Sequence, residues 1–426
     1  MKGITTKRVI ATLLAALLLL VTAVGCSGSP SSGKDMTIEW WNLWDPEIAD
    51  QMIADFEAEF PNIKINRTQH GDPGIWEAMV VATATRSGPD VFFNWSGAYQ
   101  QSFFRKGGAI SLNEYSAQYG WDKRLSAAAA DLVTYDGHLT LIPYSFGAVG
   151  VVYKNSTFEQ FGLSEPTSYA EMTMVCNTLV ENGVLPYVIG GIDTWHTMGW
   201  VDAVLEQFCG PELHDRLNDI EDTGVSWNCP EVIAAYAELS EWVSRGWVNP
   251  NFAGVGESET LMPIFDGSGA MNVTGSWQEG SITDAGFDTA DFGFFPFPRD
   301  GGEGRLATFV DGLALCDFNG KDATDAAAEF LNFLLLPESV DKYITIMGIF
   351  SGVNDAPIAD SAALLHQISG YMVTRDAYDP SDGILPEEVV DVFLSQCAEV
   401  ILGSLSPEEA ALRMANAMDS ARANAE

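Results

Sequence analysis

Between residues 36 and 93 the apolar positions switch back and forth between a period of two and a period near 3.6, and each switch marks an element. Residues 36–41 read as a strand on which Trp40 and Trp41 point to opposite faces, so at least one belongs to a core. Residues 46–60 place Ile48, Met52, Ile53, Phe56 and Phe60 at helical spacing and stop at Pro61. Residues 63–66 are a second strand and residues 76–85 a second helix. Gly88-Pro89-Asp90 then leads into a third strand, Val91-Phe92-Phe93. This β-α-β-α-β order predicts a parallel sheet with helices on both faces. Ligands of such sheets sit outside the carboxyl ends of the strands, so the loops starting at Asn42, Gln69 and Asn94 should line one side of a cleft.

Further on, β-rich runs at 138–142 and 148–154 flank Pro143-Tyr144-Ser145-Phe146-Gly147. Pro143 cannot donate to a central ladder and Gly147 is conformationally permissive, which fits an ordinary turn or a crossing between two lobes. A helix follows Ser156, and residues 168–182, 197–208 and 230–245 read as helices. The last carries Val232, Ile233, Tyr236, Leu239, Trp242 and Val243 on one stripe. Residues 269–273 are a short strand with Thr274-Gly275-Ser276-Trp277 as its exit loop, and residues 293–298 return the chain toward its first part.

At 426 residues the chain exceeds the size at which a single core keeps growing, which points to two lobes. The formal charge is −38; without Lys2, Lys7 and Arg8 of the leader, 18 basic residues face 59 acidic ones, a net of −41. Such a field repels nucleic acid and anionic lipid. It would draw a cation such as a polyamine, yet acids spread over a whole chain are solvated faces and single out no ligand. Residues 1–8 are basic, residues 9–24 are apolar or small, and Ala23-Val24-Gly25-Cys26 follows, which is the build of an export signal. The apolar run is shorter than the roughly 20 residues a membrane span needs. Residues 27–34, rich in Ser, Gly and Pro, form a flexible tether. Beyond Cys26 there remain Cys176, Cys209, Cys229, Cys316 and Cys397, with no C-x-x-C. Cys209 and Cys229 bracket a polar insert and are either a disulfide of an oxidising compartment or buried thiols.

The run DGHLTLIPYSFGAVGVVYKNSTFEQFGL is similar to the hinge-crossing region of the family 1 (maltose-binding-protein-like) extracellular solute-binding proteins of ABC importers. TIEWWNLWD, GPDVFFNWSGA, GAMNVTGSWQEG, DFGFFPFPR, FVDGLAL, AAEFLNFLLLPES and SPEEAALRMANAM match in the same order over about residues 36–420. The resemblance implies an α/β, two-lobed, periplasmic-binding-protein-like (type II) fold, each lobe a mostly parallel sheet flanked by helices and joined by hinge crossings. It divides the chain into a signal peptide (1–25), a tether (26–35), a first lobe (36–145 and 305–349) and a second lobe (146–304 and 350–426). A-V-G-C resembles a bacterial lipobox, with Ala23 where Leu is typical, and implies lipidation of Cys26 and anchoring to the cell membrane. The partners so implied are a carbohydrate ligand and ABC permease subunits, with a monomeric receptor, no nucleic acid and no cofactor.

Sugar recognition needs flat apolar faces for the C–H side of a pyranose and planar polar groups for its hydroxyls. Predicted strand-exit loops carry both: Trp44 with Asp45, Asn94 with Trp95, Trp195 with His196, and Trp277 with Gln278 and Glu279. Trp277 ranks first because its G-S-W turn resembles a ligand-facing turn of the family, and Trp95 follows. Tyr144 sits in the crossing; Asp311 lies on the return crossing and either binds a hydroxyl or caps backbone donors. Phe350 lies on a third crossing, and Gln69 with His70 ends the second strand. No metal site is expected, since the five histidines are scattered, and the calcium-like run from Asp317 has Asp322 where Gly belongs and Ala328 where Glu belongs. It reads as a turn. A secreted glycoside hydrolase would also use aromatic platforms and two carboxylates, and a receptor for a polyamine or peptide would share the fold; the order of motifs favours a carbohydrate receptor.

Overall fold

A computed structural model describes residues 35–425. The N-terminal pattern forms β1 (Met36–Asn42), α1 (Pro46–Glu59), β2 (Ile63–Gln69), α2 (Asp72–Thr85), β3 (Val91–Trp95) and α3 (Ala98–Arg105). β1 lies between β2 and β3 and is parallel to both, because each helical crossover carries the chain back to the same end of the sheet before the next strand begins. Trp40 is the core member of its pair, edge-on to Trp44 and Phe330, while Trp41 is half-buried against His70.

The remaining strands of the sheet are β4 (Ile142–Lys154), β5 (Leu185–Tyr187), β6 (Gly269–Gly275), β7 (Phe292–Phe295), β8 (Leu306–Leu315), β9 (Phe350–Ser351) and β10 (Ala377–Tyr378). The main path runs β2-β1-β3-β8-β4-β6-β5, with β7 and β9 also paired to β4 and β10 to β8. β5 and β6 are parallel; the two long strands β4 and β8 run antiparallel to each other, β8 antiparallel to β3 but parallel to β10, and β4 antiparallel to β6, β7 and β9. β4 and β8 belong to both halves of the sheet: the Leu315 end of β8 lies beside β3 and the Ile142 end of β4 pairs with that part of β8, whereas the rest of β4 lies beside β6 and β7.

The second run and the five residues before it, read as a turn or a crossing, form with Ile142 one continuous strand of 13 residues, while His138–Leu139 of the first run pairs separately with Thr134–Tyr135. Pro143 is tolerated because Ser145 pairs with Asp311 and Pro143 with Gly312, which leaves Tyr144 as the extra residue of a β-bulge where the ladder is already broken. Gly147 is there for close packing. It sits opposite Phe309, whose ring would be 2.1 Å from any added Cβ.

Two large apolar cores flank this shared sheet. One gathers Trp40, Phe56, Met79 and Phe92 with Leu313, Phe330 and Tyr343. The other gathers Tyr187, Trp200, Trp242 and Trp247 with Phe393 and Met414, and a smaller cluster around Phe294 and Leu364 adjoins it. The second core is covered by α4 (Tyr169–Glu181), α5 (Thr194–Asn218) and α6 (Pro230–Ser240). α5 runs ten residues past its expected end. It kinks at Gly210-Pro211, where Gly210 has φ 71°, and so makes the first part of the polar insert, up to Asn218, helical. α6 stops at Ser240, and the rest of its apolar stripe, Trp242 and Val243, packs from a turn. Cys176, Cys209, Cys229, Cys316 and Cys397 are free thiols, so Cys209 and Cys229 take the thiol alternative. Asp317 to Gly320 forms the expected turn ahead of α7 (Lys321–Leu334). No helix among the described residues is long and apolar enough to cross a membrane. The signal segment and Cys26 lie outside the described residues.

Candidate functional site

Where β4, β6 and β8 pass between the two cores they leave a cavity of about 770 Å³, lined from both sides. That volume is in the range of small-molecule sites, roughly 300–1,000 Å³. Its floor is backbone with rings laid over it: Gly147 lies under Phe309, and Gly275 under Trp277, whose ring would stand 1.9 Å from an added Cβ. Small residues on the strands thus let large rings lie flat at the crossing.

On the first-core side Trp76 stacks on Tyr99 with centroids 3.7 Å apart and meets Trp95 edge-on at 4.9 Å; Trp95 in turn is edge-on to Phe93. Opposite them Trp195 packs edge-on against Trp277 at 5.6 Å, and Trp277 against Phe309 at 5.8 Å. Glu257 orients this second wall. Its Oε1 accepts from Trp277 Nε1 (3.3 Å) and Gln278 Nε2 (2.7 Å), and its backbone N–H donates to Asp193. Behind it a buried relay connects Glu257 O to Thr260 Oγ1, Thr260 to Asn272 Nδ2, and Asn272 Oδ1 to His196 Nε2. Burial lowers the His196 pKa, so the imidazole serves as neutral scaffolding.

Carboxylates dominate the charged residues of the lining: Asp131, Asp202, Glu257, Asp311, Asp379 and Asp382. Arg305 is the single lysine or arginine among the lining residues. Its guanidinium donates to both oxygens of Glu206 (2.8 Å each) and both oxygens of Asp215 (2.7 and 2.9 Å). His214, fully buried, sits 3.0 Å from Asp202 Oδ1. Burial would lower its pKa, but Asp202, Asp215 and Glu206 together hold it up to about 9. At neutral pH the cluster therefore contains two committed cations. Neither is available to neutralise an incoming anion.

A chain-wide comparison decides what kind of protein has this cleft. Residues 51–365 match the family described as bacterial extracellular solute-binding protein. The chain belongs to that family. An uncharacterized ABC transporter extracellular-binding protein of Pyrococcus horikoshii is 24% identical to this solute-binding protein over 416 residues, 93% of this chain and 88% of the relative. A maltotriose-binding protein of Pyrococcus abyssi is 24% identical over 322 residues, 74% of this chain and 65% of the relative. Among solved structures, a chitin oligosaccharide binding protein superposes with a TM-score of 0.85 at 20% identity, covering 92% of this chain and 100% of that one. The fold of this solute-binding protein is thus the two-lobed α/β fold of its family, a family of binding proteins rather than enzymes and one that works outside the cytoplasm.

Of the twelve residues singled out in the sequence, the structure brings Trp95, Trp195, Trp277 and Asp311 together on the cavity lining. Asp311 also accepts from Ser145 Oγ at 3.2 Å. The other eight lie elsewhere in this solute-binding protein. Trp44 packs behind the lining between Trp40, Phe93 and Tyr144. Asp45 is the exposed N-cap of α1, accepting from the Glu47 N–H at 2.8 Å, and Gln69 is exposed and donates to the Trp44 carbonyl. Asn94 and His196 are buried. Glu279 is buried too, accepts from the Leu364 N–H and has its pKa raised by burial. Phe350 pairs with Phe146 on β4 and is core. Tyr144 is core as well. Its hydroxyl has no partner among the described residues, and burial pushes its pKa up. Tyr144→Phe should therefore leave solute affinity unchanged and hold or raise the urea midpoint, because it deletes an unsatisfied buried hydroxyl, a group worth about 1–3 kcal/mol of penalty.

Trp76, Tyr99, Glu257, Arg305, Phe309, Tyr378 to Pro380 and Asp382 to Ile384 were missed as lining residues. Tyr99 carried a signal, standing four residues past Trp95 and just after the Ser96-Gly97 turn. Phe309 carried another, a large ring in register with Gly147 once the two strands are paired. Trp76 read only as part of a helix, and Arg305 and Tyr378 had no local sign.

Proposed function

We propose that this protein is the receptor of an ABC importer, capturing a sugar or oligosaccharide by closing two lobes over it and delivering it to permease subunits in the membrane. The observation that carries this reading is the pair of facing aromatic walls, Trp76–Trp95–Tyr99 and Trp195–Trp277–Phe309, around one cavity crossed by the shared strands. Rings on both sides offer faces to a pyranose, and the carboxylates between them accept its hydroxyls. The lobes are 36–145 with 305–349 and 146–304 with 350–426, hinged on β4, β8 and the segment at Phe350. Solute stabilises the closed arrangement through contacts to both. No bond is made or broken in the solute. Lipid on Cys26 anchors the monomer to the cell membrane, and residues 26–35 tether it. The name of the maltotriose-binding relative supports an oligosaccharide, and the carboxylate-rich lining with its committed Arg305 supports a neutral sugar over a uronic acid.

A thermal-shift screen of neutral mono- and oligosaccharides, with oligogalacturonides, spermidine and a short peptide as comparators, tests the reading. A solute at a hundred times its Kd should stabilise the protein by about 2.7 kcal/mol. Neutral oligosaccharides should do so and be recovered intact after overnight incubation. Stabilisation by spermidine or peptide alone would overturn the sugar assignment; cleavage of the glycan would overturn the receptor.

A further inference from the structure

The stretch from Asp379 to Glu387 is mounted on one core and presses on the other. On its own side it is fixed. The Ser381 N–H and hydroxyl donate to Asp202, Asn218 Nδ2 donates to Ser381 Oγ, and Leu385 is fully buried in the second core at the entrance to α8 (Glu387–Ile401). On its far side it meets α3, the helix that leaves the Trp95 wall. Gly97, ahead of α3, has φ 99°, and a Cβ there would come within 2.0 Å of the Gly383 carbonyl oxygen. Ser102 Oγ donates to Glu387 Oε2 at 2.6 Å and Lys106 Nζ donates to the same oxygen at 2.8 Å. Ser102 is buried, so its hydroxyl has no water to replace that acceptor. Burial would raise the Glu387 pKa, but Lys106 and Ser102 hold it down.

The backbone crosses between the lobes at β4, β8 and Phe350, and this contact lies apart from all three. Ser96, Gly97, Tyr99, Asp379, Pro380 and Asp382 to Ile384 nevertheless line the same cavity. We infer that Ser102, Lys106 and Glu387 form a non-covalent clasp between the lobes, which holds the cleft shut and sets how long a bound solute stays without touching it. The inference rests on the hinge-closure reading above. If the lobes part to release solute, α3 must leave Asp379 to Glu387, and these two donors must leave Glu387. A contact that has to break before release acts on dissociation more than on association. Through the closed population of the empty protein it also acts on affinity.

Glu387→Lys sets a like charge against Lys106 and removes the acceptor of Ser102; adding Lys106→Glu recreates a pair of opposite sign. Small-angle scattering of the solute-free protein and stopped-flow release of the sugar found in the screen give two readouts. Glu387→Lys should expand the solute-free protein and speed release by about 5-fold, the size of one good polar contact. The double variant should recover most of both, at an unchanged urea midpoint. Unchanged scattering and release in Glu387→Lys would overturn the clasp, as would a loss that Lys106→Glu does not recover, since that loss belongs to local packing. If no sugar binds, the scattering arm still decides the clasp. If no solute of any kind compacts the wild type, the hinge reading fails first.

Discussion

Replacing Trp277 with alanine is expected to weaken sugar binding by about 1–3 kcal/mol, roughly 5- to 150-fold, with little change in folding stability. The ring is half-buried, lies over Gly275, touches Trp195 and Phe309, and is held by Glu257 through its indole N–H. Its loss removes the central face of one wall and takes one donor from Glu257. Gly275→Ala offers the same test with the tryptophan still present, because the added methyl would displace the ring from beneath. Both variants should lose affinity in isothermal titration and keep a cooperative melt. Trp242→Ala is the contrast: that ring is fully buried in the second core, so its truncation should cost about 3–5 kcal/mol of stability. If Trp277→Ala instead lowers the melting temperature and leaves affinity intact, its ring is core and the wall has been misassigned.

Arg305→Met should destabilise the protein by about 3–5 kcal/mol, since it leaves Glu206, itself buried, without its bidentate partner and Asp215 with one cation fewer. Adding Glu206→Met should recover part of the loss, because a buried charge left alone costs more than a buried pair removed. His214 gives the same cluster a pH signature. Its pKa is raised from about 6.5 in the unfolded chain to about 9, so its contribution is fully present below about pH 6.5 and is lost as pH rises through 9. The shift corresponds to about 3 kcal/mol. Asp215 acts at the other end. Burial would raise its pKa, but His214 and Arg305 hold it at about 2, so its contribution is present above about pH 4 and disappears as pH falls through 2. Urea midpoints at pH 6, 7.5 and 9.5 should fall steeply on the alkaline side for wild type and stay flatter for His214→Gln. Parallel curves would show that His214 is not the titrating group.

What the sequence determined by itself was the set of elements with strong local signals. Alternation, helical spacing and Pro61 defined β1, α1 and the β-α-β-α-β order, since those preferences act over a few residues and tertiary packing reinforces them. The run of motifs from TIEWWNLWD to SPEEAALRMANAM pointed to the family and hence to two lobes. Local signals also put Trp95 and Trp277 at strand exits, where the cavity wall is built; Trp277 follows β6, and Trp95 is the last residue of β3. Only the tertiary structure decided which aromatic residues face the cavity and which fill cores. Trp44 and Tyr144 look like binding residues in one dimension and pack inward, against each other and against Trp40 and Phe93. Pro143 and Gly147 look like a turn, yet pairing with β8 turns them into a bulge and a seat for the Phe309 ring. Arg305, His214 and Glu206 meet only because the kink at Gly210-Pro211 folds a polar insert back against the start of β8, some ninety residues away. Long-range register and desolvation set those outcomes, and neither is written in the spacing of neighbouring residues.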